Sequence, residues 1–317
     1  MAKKKMTGKP TTQKLTTQKL TTEKLSVAIV GAGSLATFLA VALHQAGFPI
    51  TEIIARDSPQ SRRRARALAA KVGAQPVTTH SAALDATLLW LCVPDREIRR
   101  AAQVLSDHLV ARALLQQKGI SRFALHSSGA LSSRELDPLR KAGAAVASAH
   151  PLMTFVAGAH PSEHPSMTGV PFAIEGDEEA ARVARRIVRA LGGESFSLPA
   201  KRKAAYHTWA TMTSPLLLAF LVTLEEAARA AGLTRQDARR KSLPIIRQTL
   251  ANYSRLGPAH SFSGPLVRGD ADTVAKHLTV LKKHPGAREV YVALARAALR
   301  GLPVKNREEL RRLLRVH

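Results

Sequence analysis

The stretch from Ser26 to Ala36 constrains the fold of this chain more than any other. An apolar, β-branched run, Val27-Ala28-Ile29-Val30, meets Gly31 and Gly33, and the apolar spacing of a helix follows at once. This order predicts a strand, a tight turn and a helix, which is the context in which Gly-x-Gly-x-x-Ala indicates dinucleotide binding. Gly31 permits the turn, Gly33 lets a pyrophosphate approach the backbone, and a small Ala36 allows close helix–strand packing.

The first turn of the predicted helix supplies groups that bind anions. The backbone amides of Ser34 and Leu35 face the phosphates there, and the helix dipole favours their negative charge. A glycine-rich turn also joins strands to helices in proteins that bind no nucleotide. Because a clear strand pattern precedes this turn and a clear helix pattern follows it, dinucleotide binding is the favoured interpretation.

The end of the second predicted strand, Ile50–Ala55, selects between two dinucleotides. An acidic residue at this point binds the ribose 2′-hydroxyl of NAD, whereas an arginine accepts the 2′-phosphate of NADP. Arg56 comes first, Ser58 can donate a hydrogen bond, and three more arginines follow at 62–64. Asp57, as an acidic residue at this position, favours NAD instead. The arginines have an alternative interpretation as well, because they could simply cover an exposed helix start. We expect NADP, with NAD as the less favoured cofactor.

A continuous apolar run, Leu88–Val93, is typical of a central parallel strand that is buried on both faces. Pro94 ends the strand, and Asp95 can cap the next helix. In a doubly wound sheet this turn lies beside the cofactor, so we place Val93 and Pro94 in the cofactor site.

Two later strands each run into a histidine. Phe123–Leu125 leads into His126-Ser127-Ser128-Gly129, and Ala144–Ala149 leads into His150. Open α/β sheets bind ligands beyond the carboxyl ends of their strands, so both histidines are candidates for substrate contact.

The organisation along the chain predicts a tail and two domains. Residues 1–25 repeat Thr-Thr-Gln/Glu-Lys-Leu and carry seven lysines, which indicates a disordered basic tail. Residues 26–198 are expected to form a doubly wound Rossmann domain of the α/β class. Residues 199–317 show long helical patterns without clear strands, so we expect an all-helical second domain, with Pro215 breaking its first long helix.

Composition narrows the class of protein. The net charge of +25 attracts anions such as dinucleotides, phosphorylated substrates or nucleic acid, without choosing among them. The single cysteine, Cys92, lies in an apolar run and excludes a disulfide framework within one chain. The longest strongly apolar stretch, Pro215 to Val222, is too short to span a membrane, and the basic N-terminus lacks the apolar core of a secretory signal. We expect a cytoplasmic protein without membrane contact.

The ordered set of motifs resembles a family, the Rossmann-like oxidoreductases with a C-terminal domain of unknown function 2520. The resemblance covers about residues 26–285. It is carried by the following motifs: Val30-Gly31-Ala32-Gly33, Val93-Pro94-Asp95, His126-Ser127-Ser128-Gly129, His150-Pro151, Tyr206-His207, Gly264-Pro265-Leu266-Val267-Arg268-Gly269-Asp270 and His277-Leu278.

The family is similar to 6-phosphogluconate dehydrogenase, pyrroline-5-carboxylate reductase and F420-dependent NADP reductase. The resemblance implies an NADP-binding first domain and a helical second domain that takes part in homodimer formation. One departure stands out, because relatives tend to have Ser-Asn where this chain has Ser214-Pro215.

A nicotinamide enzyme adds a proton donor and stabilises developing negative charge, while the cofactor carries the hydride. The candidate catalytic residues are His126, Ser128, His150, Lys203 and His207. Histidine titrates near neutral pH, and Lys203 and His207 share a helix face because they are four residues apart. In related dehydrogenases a helical lysine beside the domain boundary acts as acid or base, and the resemblance extends this role to Lys203. The alternative for each histidine is a structural hydrogen bond.

The sequence gives less support to metal binding, to a non-catalytic NADP sensor and to nucleic-acid binding. His160 and His164 lie on a predicted loop, and the sequence shows neither Cys partners nor a His-x-x-x-His helix with a Glu between, so we expect no metal. A non-catalytic NADP sensor is the alternative to a small-molecule oxidoreductase with an anionic C=O or C=N substrate. Nucleic-acid binding is disfavoured because no zinc finger, aromatic RNA-binding motif or arginine-rich recognition stretch accompanies the charge.

Overall fold

The computed structural model describes residues 25–116, 123–156 and 166–315. Eight strands form one sheet among these residues, and the central strands are built from short apolar runs. Their bounds are β1 (Val27–Val30), β2 (Ile50–Ala55), β3 (Gln75–Thr78), β4 (Leu88–Leu91), β5 (Phe123–His126), β6 (Ala145–Pro151), β7 (Pro171–Gly176) and β8 (Glu194–Ser197).

The strand order is β3-β2-β1-β4-β5-β6-β7-β8. The pairs from β3 through β6 are parallel, β7 runs antiparallel to β6, and β8 is parallel to β7. The register aligns Leu91 with His126 and His126 with Ser148. The carboxyl ends of β1, β4 and β5 therefore lie along one edge, and His150 stands two residues beyond Ser148 at that edge.

Helices cover both faces of the sheet, as the doubly wound prediction requires. They are α1 (Ser34–Gln45), α2 (Pro59–Val72), α3 (Asp95–Gln116), α4 (Asp137–Lys141), α5 (Glu178–Ala190) and α6 (Lys203–Thr213). Successive strand residues face opposite sides. Val27 and Ile29 pack into the core under α1, α2 and α5, whereas Ala28 and Val30 pack into the core under α3 and α4. All four are at most 3% exposed, which explains the uninterrupted apolar run.

The chain divides into two compact units, Met1–Ala210 and Thr211–His317. The sequence-based boundary, 198/199, follows the last strand, whereas the compact division falls after Ala210 and leaves most of α6 with the sheet. This difference has a physical reason, because α6 begins with Lys203, a residue that the sheet unit buries.

The second unit is helical throughout its described residues. Its helices are α7 (Pro215–Ala228), α8 (Arg235–Ser261), α9 (Pro265–Arg268), α10 (Ala271–Val280), α11 (Pro285–Gly301) and α12 (Arg307–Arg315). The predicted break at Pro215 is confirmed, since Pro215 opens α7 after the non-helical Ser214. A small core joins α10, α11 and α12 through Val274, Val292 and Leu310.

The helices α7 and α8 expose many large apolar side chains. The segment Ala200–Ala231 has the length and apolar composition of a membrane span, and none of its most apolar window is buried. The helix break at Ser214 interrupts it. The exposed apolar side chains are Leu216, Leu217, Leu218 and Val222 on α7, and Leu243, Ile245, Leu250, Tyr253 and Leu256 on α8.

The strands differ in places from the sequence-based expectation. The edge strand β3 has no apolar alternation, since Gln75 and Pro76 are exposed, and the sequence pattern therefore missed it. Strand β4 ends at Leu91 rather than Val93, and β6 continues to Pro151. The tail, residues 1–24, lies outside the described residues.

A buried carboxylate anchors the segment between β3 and β4. Glu52 on β2 is 5% exposed, and its two oxygens accept the backbone amides of Ala83 at 2.7 Å and Leu84 at 3.0 Å. Leu84 has φ of 55°, a left-handed conformation that a branched side chain rarely adopts. The carboxylate therefore stabilises a strained turn.

We predict that Glu52→Gln destabilises the protein by about 1–3 kcal/mol, because an amide cannot accept both backbone N–H groups. Chemical denaturation measures the loss, and hydrogen exchange should accelerate at the amides of Ala83 and Leu84. The exposed Glu179→Gln serves as the matched control. Equal stability of the two variants would contradict the anchoring role.

Candidate active site

The turn after β1 has the shape that a dinucleotide needs. Gly31 has φ of +114°, and a Cβ there would lie 2.5 Å from the carbonyl oxygen of Cys92, so only glycine fits. A Cβ on Gly33 would meet nothing within 4 Å, which leaves open space over the turn. Gly33 is also the N-cap residue of α1 and has no side chain to satisfy the first amides of the helix. The half-buried Ser34 and Leu35 follow. These features fit a pyrophosphate bound at the helix start.

One acidic residue, Asp57, lies among several arginines after the end of β2. Asp57 forms an ion pair with Arg62, so its negative charge is compensated locally. The Ser58 hydroxyl caps α2, accepting the Ser61 amide at 3.3 Å and donating to Ser61 Oγ at 2.9 Å. Arg56 is exposed at the strand end. This arrangement fits a ribose 2′-phosphate better than a bare 2′-hydroxyl, with Arg56 as the accessible cation.

The turn after β4 connects the dinucleotide turn to the β5 loop. Val93 is half-buried, and its Cγ1 would lie 3.4 Å from a Cβ on Gly31. Val93 therefore packs against the glycine turn. Pro94 is exposed. Asp95 accepts a hydrogen bond from Ser128 Oγ at 2.8 Å. Asp95, which the sequence analysis expected only as a cap, therefore ties the two loops together.

The Ser128 hydroxyl is fully engaged inside its own loop. Besides donating to Asp95, it accepts the amides of Ala130 at 3.2 Å and Leu131 at 2.9 Å. Its backbone carbonyl instead faces the site, where it accepts from Lys203 Nζ at 2.7 Å and Ser148 Oγ at 3.2 Å. These contacts hold the loop in place, and the catalytic role of Ser128 stays a prediction.

Both ring nitrogens of His126 likewise lie within hydrogen-bond distance of the loop. Its Nε2 lies 3.0 Å from the Ser132 carbonyl, which can only accept, and its Nδ1 accepts the Ser128 amide at 3.1 Å. The ring is 0% exposed, and burial lowers the pKa of His126 to about 4. A neutral imidazole with both nitrogens engaged is a scaffold for the loop, so the structure favours the structural alternative for this residue.

Lys203 is the principal ionisable group of the site. It is 2% exposed, and its ammonium donates to two uncharged oxygens, Ser128 O and Ser148 Oγ. Burial lowers the pKa of Lys203 to about 8, against the opposing influence of the Glu175 and Asp95 charges. A lysine with a pKa near neutrality can give and regain a proton at physiological pH.

His150 and His207 lie next to each other at the edge of the sheet. His150 Nδ1 pairs with the Tyr206 hydroxyl at 2.8 Å, and the ring centroids of His150 and His207 are 6.1 Å apart. A Cβ on Gly129 would come within 2.6 Å of His207 Cδ2 and 2.8 Å of His150 Nε2. Gly129 thus makes room for both imidazoles. Burial, followed by the charge of Lys203, lowers the pKa of His150 to about 4.

The aromatic side chains continue outward from His150. The Tyr206 ring contacts Phe196 at 6.0 Å and Trp209 at 5.9 Å between centroids. Phe196 is 37% and Trp209 53% exposed, in a chain with only 4% aromatic residues. Burial raises the pKa of Tyr206 to about 12, so its hydroxyl stays protonated. These rings form an apolar wall beside the polar groups.

Sequence reasoning missed four residues of this network: Asp95 in its tying role, Ser148, Glu175 and Tyr206. Ser148 could have been found, because it precedes His150 by two residues on one strand and so points to the same face. Glu175 accepts the Ser133 amide at 2.6 Å and its hydroxyl at 3.0 Å, a contact between distant segments without a local signal.

Within the described residues no group of three or more His, Cys, Asp or Glu side chains is arranged to hold a metal ion. His160 and His164, the loop histidines weighed in the sequence analysis, lie outside those residues. Burial raises the pKa of the Cys92 thiol to about 12, which disfavours its thiolate form.

The fold and the site define an α/β protein with a Rossmann-type dinucleotide turn and a helical second unit. Residues 6–151 match a Rossmann-like domain, and residues 170–298 match the domain of unknown function 2520. The chain therefore combines a Rossmann-like domain with a domain of unknown function 2520, as its motifs predict. Among curated proteins, no relative matches the chain.

Solved structures share the fold at low identity. A candidate NADP oxidoreductase from Bacteroides fragilis is 23% identical, with a TM-score of 0.68 over 86% of this chain and 97% of that chain. A pyrroline-5-carboxylate reductase from Coxiella burnetii is 16% identical, with a TM-score of 0.54 over 87% and 98%. A reductive aminase from Aspergillus terreus, in complex with NADPH and ethyl-5-oxohexanoate, is 14% identical, with a TM-score of 0.57 over 88% and 94%.

The buried ammonium predicts a specific pH dependence of stability. The pKa of Lys203 is about 8 in the folded protein, below the ordinary lysine pKa of 10.5, so the unfolded chain binds more protons between these pH values. The free energy of unfolding should therefore rise from pH 8 to 10.5 relative to that of Lys203→Met, by at most about 3 kcal/mol.

Denaturation at a series of pH values measures this difference. The control is Lys201→Met, which removes an exposed lysine two residues away and should leave the pH profile parallel to that of the parent protein. A parallel profile for Lys203→Met as well would show that the ammonium is not desolvated.

Proposed function

We propose that this protein is an NADP(H)-dependent oxidoreductase that acts on a C=O or C=N bond of a small, anionic substrate. The observation that carries the proposal is the buried ammonium of Lys203, held at the same sheet edge as the dinucleotide turn. That edge is where open α/β sheets bind their ligands.

In this proposal each of the following residues has one role. The amides of Ser34 and Leu35 bind the pyrophosphate, and Arg56 binds the 2′-phosphate. NADPH, when bound, supplies a hydride. Lys203 gives a proton to the substrate atom on which negative charge develops, and its pKa of about 8 suits this role.

The imidazole of His150, fixed by the Tyr206 hydroxyl, orients the substrate through its remaining nitrogen, Nε2. His207 lies beside it and completes the polar side of the site. The names of the structural neighbours support this function, since they include an NADP oxidoreductase, a pyrroline-5-carboxylate reductase and an NADPH-bound reductive aminase.

We predict that the purified protein binds NADPH more tightly than NADH, and that Arg56→Ala weakens NADPH binding by about 10- to 100-fold with little effect on NADH. The reason is that the charge-assisted contact with the 2′-phosphate contributes about 1.5–3 kcal/mol. Calorimetric titration measures both affinities.

The matched control is Arg189→Ala, which removes an exposed arginine from α5. Failure to bind either nucleotide would refute the proposed function. Tight NADPH binding without turnover of any carbonyl or imine compound would favour the alternative, a non-catalytic NADP sensor.

We also propose that two copies of the chain associate through α7 and α8. Nine large apolar side chains are exposed along these two neighbouring helices, and soluble monomers rarely leave so much contiguous apolar surface uncovered. A second copy fits because the same apolar face on each copy is self-complementary. The helical domain of the family, as the resemblance implies, takes part in dimerisation.

The double variant Leu218→Asp with Ile245→Asp should therefore be monomeric, because each new carboxylate would have to be buried in the interface. Light scattering after size exclusion measures the mass. Val110→Asp, at an exposed apolar position on α3, is the control and should leave the dimer intact. A parent protein that is monomeric, or that binds lipid vesicles through this face, would overturn the proposal.

A further inference from the structure

The ammonium of Lys203 is held by two neighbours, and the proposed function gives one of them, Ser148, no role. We infer that Ser148 is a positioning residue: its hydroxyl and the Ser128 carbonyl bind two of the three ammonium hydrogens of Lys203 and leave the third for transfer to the substrate. The transfer rests on the oxidoreductase function proposed above, whereas the contacts that place the ammonium are testable without it.

The three groups form a closed set of hydrogen bonds. The Lys203 ammonium donates to the Ser128 carbonyl at 2.7 Å and also to the Ser148 hydroxyl. The Ser148 hydroxyl donates to the same carbonyl at 3.2 Å. A hydroxyl has a single hydrogen, and the carbonyl already takes it, so Ser148 meets Lys203 only as an acceptor. The direction of each hydrogen bond in the set is therefore fixed.

This set uses two of the three hydrogens of the ammonium. Among the residues that the structure describes, none accepts the third. After loss of one proton, the neutral amine still has two hydrogens for the two contacts, and its lone pair takes the third direction. Lys203 can thus release and regain a proton without breaking either hydrogen bond.

The sheet makes Ser148 a rigid anchor for this purpose. Ser148 lies within β6, opposite His126 of β5 on one side and Glu175 of β7 on the other. Its side chain is 0% exposed. Lys203, by contrast, carries its ammonium on a flexible four-carbon chain. A hydroxyl fixed by the sheet therefore restricts the positions that the ammonium can adopt.

The proposed reaction needs one such proton for each hydride. The substrate carbon receives the hydride that NADPH supplies when bound, and the π electron pair of the C=O or C=N bond moves to the oxygen or nitrogen. That atom forms a bond to the third hydrogen of the Lys203 ammonium, whose N–H electron pair stays on the lysine nitrogen. The neutral amine then takes a proton from the solvent. The same balance holds for a carbonyl and for a neutral imine.

The ionisable neighbours of Lys203 come from several elements: Asp95 on α3, Glu175 on β7, His126 on β5, His150 on β6 and His207 on α6. Burial lowers the pKa of Lys203 to about 8, against the opposing effect of the two carboxylates. The histidines of β5 and β6 have pKa values of about 4 and are neutral at pH 7. Substitutions at Ser148 remove none of these groups, so a change in the titration of Lys203 reports the hydroxyl.

The test follows the titration of Lys203 by NMR in the intact chain, labelled with ¹³C at the lysine Cε atoms. The signal of Lys203 is the one that Lys203→Met lacks, and its chemical shift against pH gives the pKa. Ser148→Ala removes the hydroxyl, Ser148→Cys keeps a similar volume but offers only a weak acceptor, and Ser148→Thr restores a hydroxyl.

Ser106→Ala is the matched control. Ser106 is also a buried serine, 7% exposed, and its hydroxyl also donates to a carbonyl, that of Pro138 at 2.9 Å. It lies on α3, and its hydroxyl binds Pro138 and not Lys203. The loss of any buried hydroxyl is thereby separated from the loss of this one.

We expect the pKa of Lys203 to fall by roughly 1–2 in Ser148→Ala and in Ser148→Cys, because a hydrogen bond that favours the charged form is lost. Ser148→Thr and Ser106→Ala should titrate like the parent protein. Relaxation of the same ¹³C atom should give a lower order parameter in the Ala and Cys variants, since the ammonium is then held by one contact.

A titration of Lys203 in Ser148→Cys that equals that of the parent protein would overturn the inference, because a side chain that only fills space leaves the pKa unchanged. This variant decides the question even if Ser148→Ala does not fold. The proposed function fails separately: if the parent protein binds neither NADPH nor NADH, the titration of Lys203 still reports its contact with Ser148.

Discussion

The hydrogen bond from the Lys203 ammonium to the Ser128 carbonyl joins the helical segment α6 to the sheet at a buried point. A buried ammonium is costly unless oxygens replace its water, and here the main chain supplies one of them at 2.7 Å. The position of that carbonyl is fixed by the Ser128 hydroxyl, which binds Asp95 and two backbone amides. The Lys203 ammonium is therefore placed by a loop, and the loop is placed by the turn after β4.

The same loop explains why so many polar groups surround one buried ammonium. His126 holds the loop from the strand side, and Glu175 holds it from β7 through Ser133. Both residues can affect the position of Lys203 through this loop without contacting a ligand. Removing either would leave a buried donor or acceptor unsatisfied and would release the carbonyl that positions Lys203.

Local sequence patterns were sufficient for most of the fold. The glycine turn and the continuous apolar runs predicted β1, α1 and β4 because their signals are local and periodic. The exposed edge strand β3 escaped because an edge strand without a buried face has no alternation to detect. The helix break before Pro215 was correctly predicted, since proline removes a backbone donor whatever the surroundings.

The site was less predictable, for a physical reason. The sequence identified Lys203, His150 and His207 as candidates, but their contacts join residues that are distant in the chain, as between Lys203 and Ser128. Whether a histidine is buried with both nitrogens engaged, as His126 is, depends on such contacts. A one-dimensional pattern carries residue types and spacings, and it does not carry the direction of a hydroxyl or a carbonyl.

Gly129 has a consequence for how this site can change over evolutionary time. A methyl group there collides with the imidazoles of His150 and His207, so an alanine at this position is tolerated only after those rings have been replaced or displaced. The order of substitutions is thus constrained, and the three positions are epistatic. Lineages that keep both imidazoles in these positions must keep the glycine, whereas lineages that lose or move them are released from it.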